Sequence, residues 1–352
     1  VGRRARPGGG AAIAGKRPVV GGAFPKSPAG PAAAAFAAGT AEAAAPQQAA
    51  PDSRATAPVA PREADPPASV EVQTIDRPGG DFMVDVIKTL DLEYVASNPG
   101  SSFRGIHESI VNYGGNRLPE FITCCHEESS VAMAHGYFKA EGKPMAVLCH
   151  GTVGMQHAAM AIYNAYCDRV PVYVMAGNSL DATLRRPGVE WAHSVQDAAA
   201  MVRDYIKWDD QPISLPHFAE SAIRAYKIAM TPPMMPVVLV IDGGLQEDPI
   251  SHEVTPRLRI PKLTTATPPQ GDSGAVAEAA RLLVNAQNPL IVADRAARTP
   301  AGLTRLVELA ETLQAPVVDQ GGRMNFPSRH PLNQSSGARQ LVANADVILG
   351  LE

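Results

Sequence analysis

The chain has 352 residues, of which 45% are hydrophobic, and its formal net charge is −4. This length allows two domains and a tail, and the apolar content is sufficient for sizeable cores. We expect no nucleic-acid partner, because the sequence contains no basic block that would bind a phosphate backbone and only 5% aromatic residues. We also expect no membrane partner, since no apolar run reaches the roughly 20 residues that span a bilayer.

Residues 1–75 are dominated by Ala, Pro and Gly and contain few large apolar residues. Such a segment cannot bury enough surface to offset its ordering entropy, so we predict a disordered tail without a catalytic role. Arg3 and Arg4 precede an Ala-rich run that resembles a twin-arginine export leader, but Pro and Gly interrupt this run. A cytoplasmic location is therefore the first expectation, and export is the alternative.

Residues 76–248 show alternating strand and helix patterns. Short runs rich in Val and Ile predict strands, and apolar residues at helical spacing predict helices. Their alternation predicts an α/β domain with a parallel, helix-covered sheet. The predicted strands are 93–97, 120–124, 145–149, 170–176 and 237–241, and the predicted helices are 82–88, 106–111, a helix that begins near 127, 155–166 and 218–230.

Residues 249–271 contain several prolines and little periodicity, so we predict a linker. A second alternation of helix and strand patterns follows and predicts an incomplete second α/β domain over residues 272–352. Its predicted helices are 275–285 and 303–313, and its predicted strands are 290–293, 316–319 and one within 345–350.

The four cysteines are Cys124, Cys125, Cys149 and Cys167, and they form no CxxC pair. Cysteine in or beside a strand acts as a small buried hydrophobe, so we predict reduced core thiols. No cluster of His and Cys has the spacing of a zinc site, and we predict no metal ligands in this chain.

Three polar residues, Ser101, Glu127 and His150, lie at or just past the carboxyl ends of predicted strands. Ligands of open α/β sheets bind at this edge, so these residues are candidate catalytic residues. Each also has a structural interpretation. Glu127, like Glu128, is an acid that a helix N-terminus stabilises, Ser101 belongs to a turn, and His150 caps a strand carbonyl.

Three segments together resemble the pyrimidine-binding domain of thiamine diphosphate enzymes. They are Asn98-Pro99-Gly100-Ser101-Ser102, Glu127 with its alanine-rich helix and Gly136-Tyr137, and Lys143-Pro144 through His150-Gly151-Thr152-Val153-Gly154. The similarity extends over about residues 78–245, and the spacing from Glu127 to His150 is ungapped relative to the benzoylformate decarboxylases of this family. Residues 275–352 resemble the start of the central domain of the family less specifically.

The resemblance implies a role for each candidate residue. Glu127 would activate thiamine diphosphate through its aminopyrimidine ring, Ser101 would orient the carboxylate of a 2-oxo acid substrate, and His150 would relay protons. Acetolactate synthases usually lack the histidine, so we expect a 2-oxo acid decarboxylase first and carboligation of the acetolactate synthase type second. The residues expected to lie near the cofactor are Pro99, Gly100, Glu127, Gly151, Gly154 and Gln156.

The family also has a third domain, in which Gly-Asp-Gly and a later Asn bind Mg²⁺ and the diphosphate. This motif does not occur in the sequence, and Gly271-Asp272-Ser273 does not match it. Because family members build each site from two subunits, the resemblance implies a homo-oligomer and suggests that these residues are an N-terminal fragment, inactive alone.

Two other classes of function remain open at this point. In the first alternative, the chain is a non-catalytic module for dimerisation or regulation. A nicotinamide or flavin oxidoreductase is the weaker alternative, because no G-x-G-x-x-G follows a strand. FAD in the central domain, which some relatives bind, stays a possible cofactor, but no residue pattern in the sequence supports it.

Overall fold

The structure is a computed structural model that describes residues 77–181, 183, 193–265, 267, 270–322 and 325–352. The predicted disordered tail lies outside the described residues.

Six strands form one parallel sheet in the order β2-β1-β3-β4-β6-β5. The central strands are short runs of Val, Leu, Met and Ala, the composition typical of parallel strands that are covered on both faces. The predicted parallel, helix-covered sheet is therefore confirmed. The strands are β1 Tyr94–Ser97, β2 Glu120–Thr123, β3 Met145–Cys149, β4 Val172–Asn178, β5 Trp208–Asp210 and β6 Val237–Asp242.

Two hydrophobic cores cover the two faces of this sheet. In β3, Ala146 and Leu148 face one core while Val147 and Cys149 face the other, as the two-residue period of a strand requires. The first core contains α1 Gly79–Ile87, α2 Arg104–Glu108 and α5 Leu215–Met230, and the second contains α3 Glu127–Glu141 and α4 Thr152–Cys167. The short helix α6 Gly243–Glu247 follows β6.

A smaller parallel sheet of three strands, in the order β8-β7-β9, forms the second α/β body. Ile291, Leu306 and Val317 lie in its core. In the described ranges, no helix is long and apolar enough to span a membrane. The elements of this body are α7 Ser273–Asn285, β7 Pro289–Ala293, α8 Pro300–Leu313, β8 Val317–Asp319, α9 Ala338–Asn344 and β9 Val347–Leu351.

Polar contacts join the small sheet to the end of α4. The Arg295 guanidinium, after β7, donates a hydrogen bond of 2.8 Å to the carbonyl oxygen of Cys167. Arg169 forms an ion pair with Glu352 at the end of β9. The C-terminal end of α4 is thus held by the second body, while its N-terminal end faces the rim of the large sheet.

The structure differs from the sequence prediction in three short elements and in the exposure of two cysteines. The edge strand β5 and the short helices α6 and α9 were not predicted, because a few residues carry too little periodicity. Cys124 and Cys149 are buried, and burial raises the pKa of the Cys149 thiol, but Cys125 and Cys167 are exposed. The prediction of core thiols was wrong for these two, since Cys125 lies in the turn before α3 and Cys167 ends α4.

The core on the α4 side predicts a contrast between two isoleucines. Ile162 on α4 is fully buried, whereas Ile213 in the segment before α5 is 79% exposed. Ile162→Ala should lower the free energy of unfolding by about 2–5 kcal/mol, through lost burial and a cavity. Ile213→Ala should change it by less than about 0.5 kcal/mol. Urea denaturation measures both, and equal effects would contradict the core described here.

Candidate active site

The site lies where the order of the large sheet reverses. From β1 the chain crosses to β2 on one side, then returns to β3 on the other side of β1. Ser97 at the end of β1 is level with Thr123 of β2 and Leu148 of β3. The loops that follow these three strands therefore begin side by side, and such a switch point is where open α/β sheets bind ligands.

Glu127 is the first residue of α3 and only 2% exposed. The helix begins here because the His126 side chain caps it, accepting a hydrogen bond of 3.2 Å from the Glu128 N–H. Among the described residues, Glu127 Oε2 has no hydrogen-bond partner. The Nδ1 atom of His157, on α4, lies 3.5 Å from it. A buried carboxylate oxygen without a partner is unfavourable alone, so it is a position that a ligand can complete.

Glycines let the backbone approach these side chains. A Cβ atom at Gly154 would lie 2.8 Å from Glu127 Oε1 and 2.9 Å from His150 Cβ. At Gly100 it would lie 2.6 Å from His150 Cδ2, and at Gly151 it would lie 2.4 Å from the Gly177 carbonyl oxygen. These glycines are needed because the backbone packs closely at the ends of β1 and β3.

His150 follows β3 and is half-buried between two partners. Its Nδ1 atom lies 3.2 Å from Ser102 Oγ, and the ring of His193 meets it edge-on with centroids 4.6 Å apart. Burial lowers the pKa of His150, His193 lowers it further, and the Glu127 carboxylate opposes both. The imidazole is therefore neutral at pH 7.

The structure brings together five of the residues that the sequence predicts for the site: Gly100, Glu127, His150, Gly151 and Gly154. The side chains of Pro99, Ser101 and Gln156 are exposed beside this group. Sequence reasoning missed Ser102 and His193. Ser102 lies within the Asn98–Ser102 segment that drew attention to its neighbour, whereas nothing in the local sequence marks His193. Only the fold brings it to His150, more than forty residues away.

Comparison with known proteins identifies this architecture. Residues 77–201 match the family model described as the N-terminal TPP binding domain of thiamine pyrophosphate enzymes, and residues 276–351 match the model of their central domain. The chain belongs to the thiamine pyrophosphate enzyme family.

Relatives in this family have different activities. The sulfoacetaldehyde acetyltransferase of Rhodobacter capsulatus is 26% identical over 72% of this chain and 42% of its own length. The acetolactate synthase large subunit of Haemophilus influenzae is 26% identical over 78% of this chain and 48% of its own length. A crystal structure of benzoylformate decarboxylase from Polynucleobacter necessarius superimposes with a TM-score of 0.65 and 25% identity, over 78% of this chain and 50% of that one. The chain thus spans about half the length of these relatives.

The residues at the rim fit the cofactor that the family name implies, thiamine pyrophosphate, also called thiamine diphosphate. Two buried side-chain oxygens there, Glu127 Oε2 and Thr152 Oγ1, have no hydrogen-bond partner in the described part of the chain. A ligand with polar nitrogen atoms can complete such oxygens, so the donor set of the rim fits the aminopyrimidine ring of this cofactor.

The same rim is poorly suited to a metal ion. His126, Glu127 and His157 are the one group of three metal-ligating side chains that the described residues bring within 4.8 Å. The two imidazole rings are stacked with an interplanar angle of 19°, so their in-plane lone pairs do not converge. Moreover, the positive N-terminal end of α3 lies at this position and disfavours a cation.

A neighbouring cleft of about 170 Å³ lies at the ends of β4 and β6. Asp242 and Glu247 line it, and Arg104 is held by Glu247 in a two-pronged ion pair. Asp181 and Asp248 add further negative charge. The negative charge of this lining would repel an anionic ligand.

The glycine contacts predict opposite effects for two alanine substitutions. Gly154→Ala should lower the free energy of unfolding by about 1–3 kcal/mol, because the new methyl group overlaps Glu127 and His150. Gly136→Ala, in α3 with nothing within 4 Å, should raise it by about 0.5–1 kcal/mol, since alanine favours a helix. Chemical denaturation of both variants checks the signs. Wild-type stability for Gly154→Ala would show that the rim is not closely packed.

Proposed function

We propose that the chain is the pyrimidine-binding part of a thiamine diphosphate-dependent enzyme that decarboxylates a 2-oxo acid, similar to benzoylformate decarboxylase. The observation that carries the proposal is the buried carboxylate of Glu127, whose Oε2 atom has no hydrogen bond in the described part of the chain, on one rim with His150. Burial of an incompletely paired acid is unfavourable, and a cofactor ring that completes its hydrogen bonds would offset this cost.

Glu127 is assigned to the cofactor ring. Its carboxyl group would bind a ring nitrogen of the aminopyrimidine through Oε2 and hold a proton there. The packing supports this assignment, because Oε1 lies where only a residue without a Cβ atom fits at Gly154, while Oε2 has no hydrogen bond among the described residues. The exclusion of water from a residue that is 2% exposed strengthens such a hydrogen bond.

Thiamine diphosphate, when bound, supplies a carbon nucleophile for the carbonyl group of a 2-oxo acid and accepts the electrons that carbon dioxide leaves behind. His150 is assigned to proton transfer at the substrate, since it is neutral at pH 7 and lies half-buried at the rim. Ser101, exposed at the same rim, is assigned to the substrate carboxylate. Pro99 and Gln156 would lie at the edge of the cofactor site.

The alternative is a carboligase of the acetolactate synthase type. It is supported by the 26% identity to an acetolactate synthase large subunit. His150 favours decarboxylation, because a proton donor near the substrate ends the reaction at an aldehyde. The product distinguishes the two: an aldehyde supports the decarboxylase, and an acetohydroxy acid supports the carboligase.

The same proposal includes a homo-oligomeric enzyme that binds Mg²⁺ together with the cofactor. The exposed faces of α3 and α4 carry Met133, Met160 and Tyr163, apolar side chains that a second subunit would cover. Mg²⁺ prefers oxygen ligands, so it would bind with the diphosphate rather than at His126 and His157.

Substitution of the two adjacent glutamates tests the assignment of Glu127. In the gene product that contains these residues, Glu127→Gln should lower kcat by about 10²–10⁴-fold, because an amide cannot hold the required proton. Glu128→Gln should remain near the wild-type rate, since Glu128 is exposed at the same helix end. Turnover of a 2-oxo acid at saturating thiamine diphosphate measures both. An active Glu127→Gln variant would rule out the assignment.

The 352-residue chain alone should bind thiamine diphosphate weakly and turn over no substrate. Its sequence lacks the Gly-Asp-Gly motif with a later Asn, so the diphosphate and Mg²⁺ have no recognised ligands in these residues. Isothermal titration with thiamine diphosphate and Mg²⁺ measures the affinity. Micromolar or tighter binding, together with release of carbon dioxide, would contradict this expectation.

The experiment that tests the proposed function begins with the genomic sequence downstream of the codon for Glu352. A continuing frame that contains Gly-Asp-Gly and a later Asn supports the proposal, and its product is then assayed with aromatic and aliphatic 2-oxo acids. An immediate stop codon, with no activity after addition of candidate partner subunits, would favour a non-catalytic module instead.

A further inference from the structure

Ser102 is the residue whose side chain lies within hydrogen-bond distance of His150. The family resemblance had instead indicated its neighbour, Ser101. The hydroxyl oxygen of Ser102 lies 3.2 Å from His150 Nδ1 and accepts a hydrogen bond of 3.1 Å from the Gly151 N–H. Ser102 is only 9% exposed, whereas Ser101 is exposed. The serine that holds the histidine is therefore the buried one.

Ser102 is itself held in place by its backbone. The buried side chain of Gln246 donates a hydrogen bond of 3.1 Å to the Ser102 carbonyl oxygen and also bonds the carbonyl oxygen of Ile241. On the other side, a Cβ atom at Gly177 would lie 2.2 Å from the Ser102 carbonyl oxygen and 2.6 Å from its Oγ. This enclosure fixes the position from which the hydroxyl group meets His150.

The donors and acceptors available to Ser102 determine whether Ser102 or His150 donates the hydrogen bond between them. A serine hydroxyl has one hydrogen to donate and two lone pairs. The Gly151 N–H occupies one lone pair, and the hydroxyl hydrogen has no acceptor other than His150 Nδ1 in the ranges that the structure describes. A buried hydroxyl that donates to Nδ1 is fully satisfied, while the opposite direction would leave its hydrogen unpaired.

We propose that Ser102 is a positioning residue that places the proton of neutral His150 on Nε2, so that the site offers an N–H donor to an oxygen atom of its substrate. Nε2 is the ring nitrogen that has no partner among the described residues. The substrate oxygen that it recognises belongs to the carbonyl or carboxylate group of a 2-oxo acid, and this last step rests on the proposed function.

The same geometry couples Ser102 to the charge of His150. When His150 gains a proton, Nδ1 carries a hydrogen and donates it to the remaining lone pair of Ser102 Oγ. The hydroxyl hydrogen of Ser102 then turns away from the ring. Ser102 thus changes from donor to acceptor whenever His150 changes charge, a role that the exposed Ser101 does not have.

The tautomer of His150 is measured on the 352-residue chain labelled with ¹⁵N-histidine. Long-range ¹H–¹⁵N correlation spectra above pH 8 show which ring nitrogen carries hydrogen, and His150→Gln identifies the signals. We expect the Nε2–H form to predominate in the wild type. A predominant Nδ1–H form would overturn the proposal, and this result does not depend on the folding of any variant.

The variants separate Ser102 from a general structural effect. Ser102→Ala should lower the ratio of Nε2–H to Nδ1–H about fivefold, the factor for one hydrogen bond of ordinary strength. Ser130→Ala is the matched control, because Ser130 is also buried but bonds the His126 carbonyl oxygen. An unchanged ratio in folded Ser102→Ala protein would overturn the proposal.

The outcome is independent of the proposed function. The spectra require no cofactor and no substrate, so an enzyme of another class would leave the tautomer result valid. Conversely, a wild-type His150 in the Nδ1–H form would refute the role of Ser102 and would leave decarboxylation of a 2-oxo acid to be tested by its product.

Discussion

The parallel pairing of β1 with both β2 and β3 is the constraint on which the site depends. Because Ser97 lies level with Thr123 on one side and Leu148 on the other, the three following loops start from the same edge of the sheet. Glu127 and His150 lie more than twenty residues apart in the chain, and this register alone brings them to one rim. A slip of one residue in this pairing would turn the strand side chains to the other face and displace the loops that carry Glu127 and His150.

The site also depends on close contacts of the backbone, with no side chain between the main-chain atoms and the polar groups. Gly154 lies against Glu127 and His150, and Gly177 lies against Ser102, at distances that no Cβ atom tolerates. The site is therefore shaped by main-chain atoms as much as by its polar side chains. This arrangement explains how an acid can be 2% exposed beside a half-buried histidine without a large hydrophobic residue between them.

Much of this architecture could be predicted from the sequence, and the elements that could not be predicted are those whose structure depends on tertiary contacts. The strands around the rim are mostly apolar and lie beside Gly, Pro and Asn, so β1, β3 and β4 were predicted within two residues at each end. The edge strand β5 reads Trp-Asp-Asp, which resembles a loop, and its place in the sheet comes from pairing with β6.

Within the site, sequence patterns indicated Glu127 and His150 but could not choose between Ser101 and Ser102. In an irregular loop, the side chains of adjacent residues point in directions that neither the helix period nor the strand period predicts. The contact of His193 with His150 is a purely tertiary fact, since Asn178 holds the returning segment by a hydrogen bond of 2.9 Å to the Val195 carbonyl oxygen. Exposure of Cys125 was likewise decided by where the turn before α3 reaches the surface.

The division of the rim into close-packed glycines and exposed side chains has an evolutionary consequence. Substitution at Gly100, Gly151, Gly154 or Gly177 disturbs the backbone that positions the polar side chains of the rim. Pro99, Ser101 and Gln156 project outward, where a new side chain meets little resistance from the fold. A lineage can therefore explore new substrates through the outward positions while inheriting its scaffold unchanged. The chain is 25–26% identical to an acetyltransferase, a synthase and a decarboxylase, relatives whose printed activities differ.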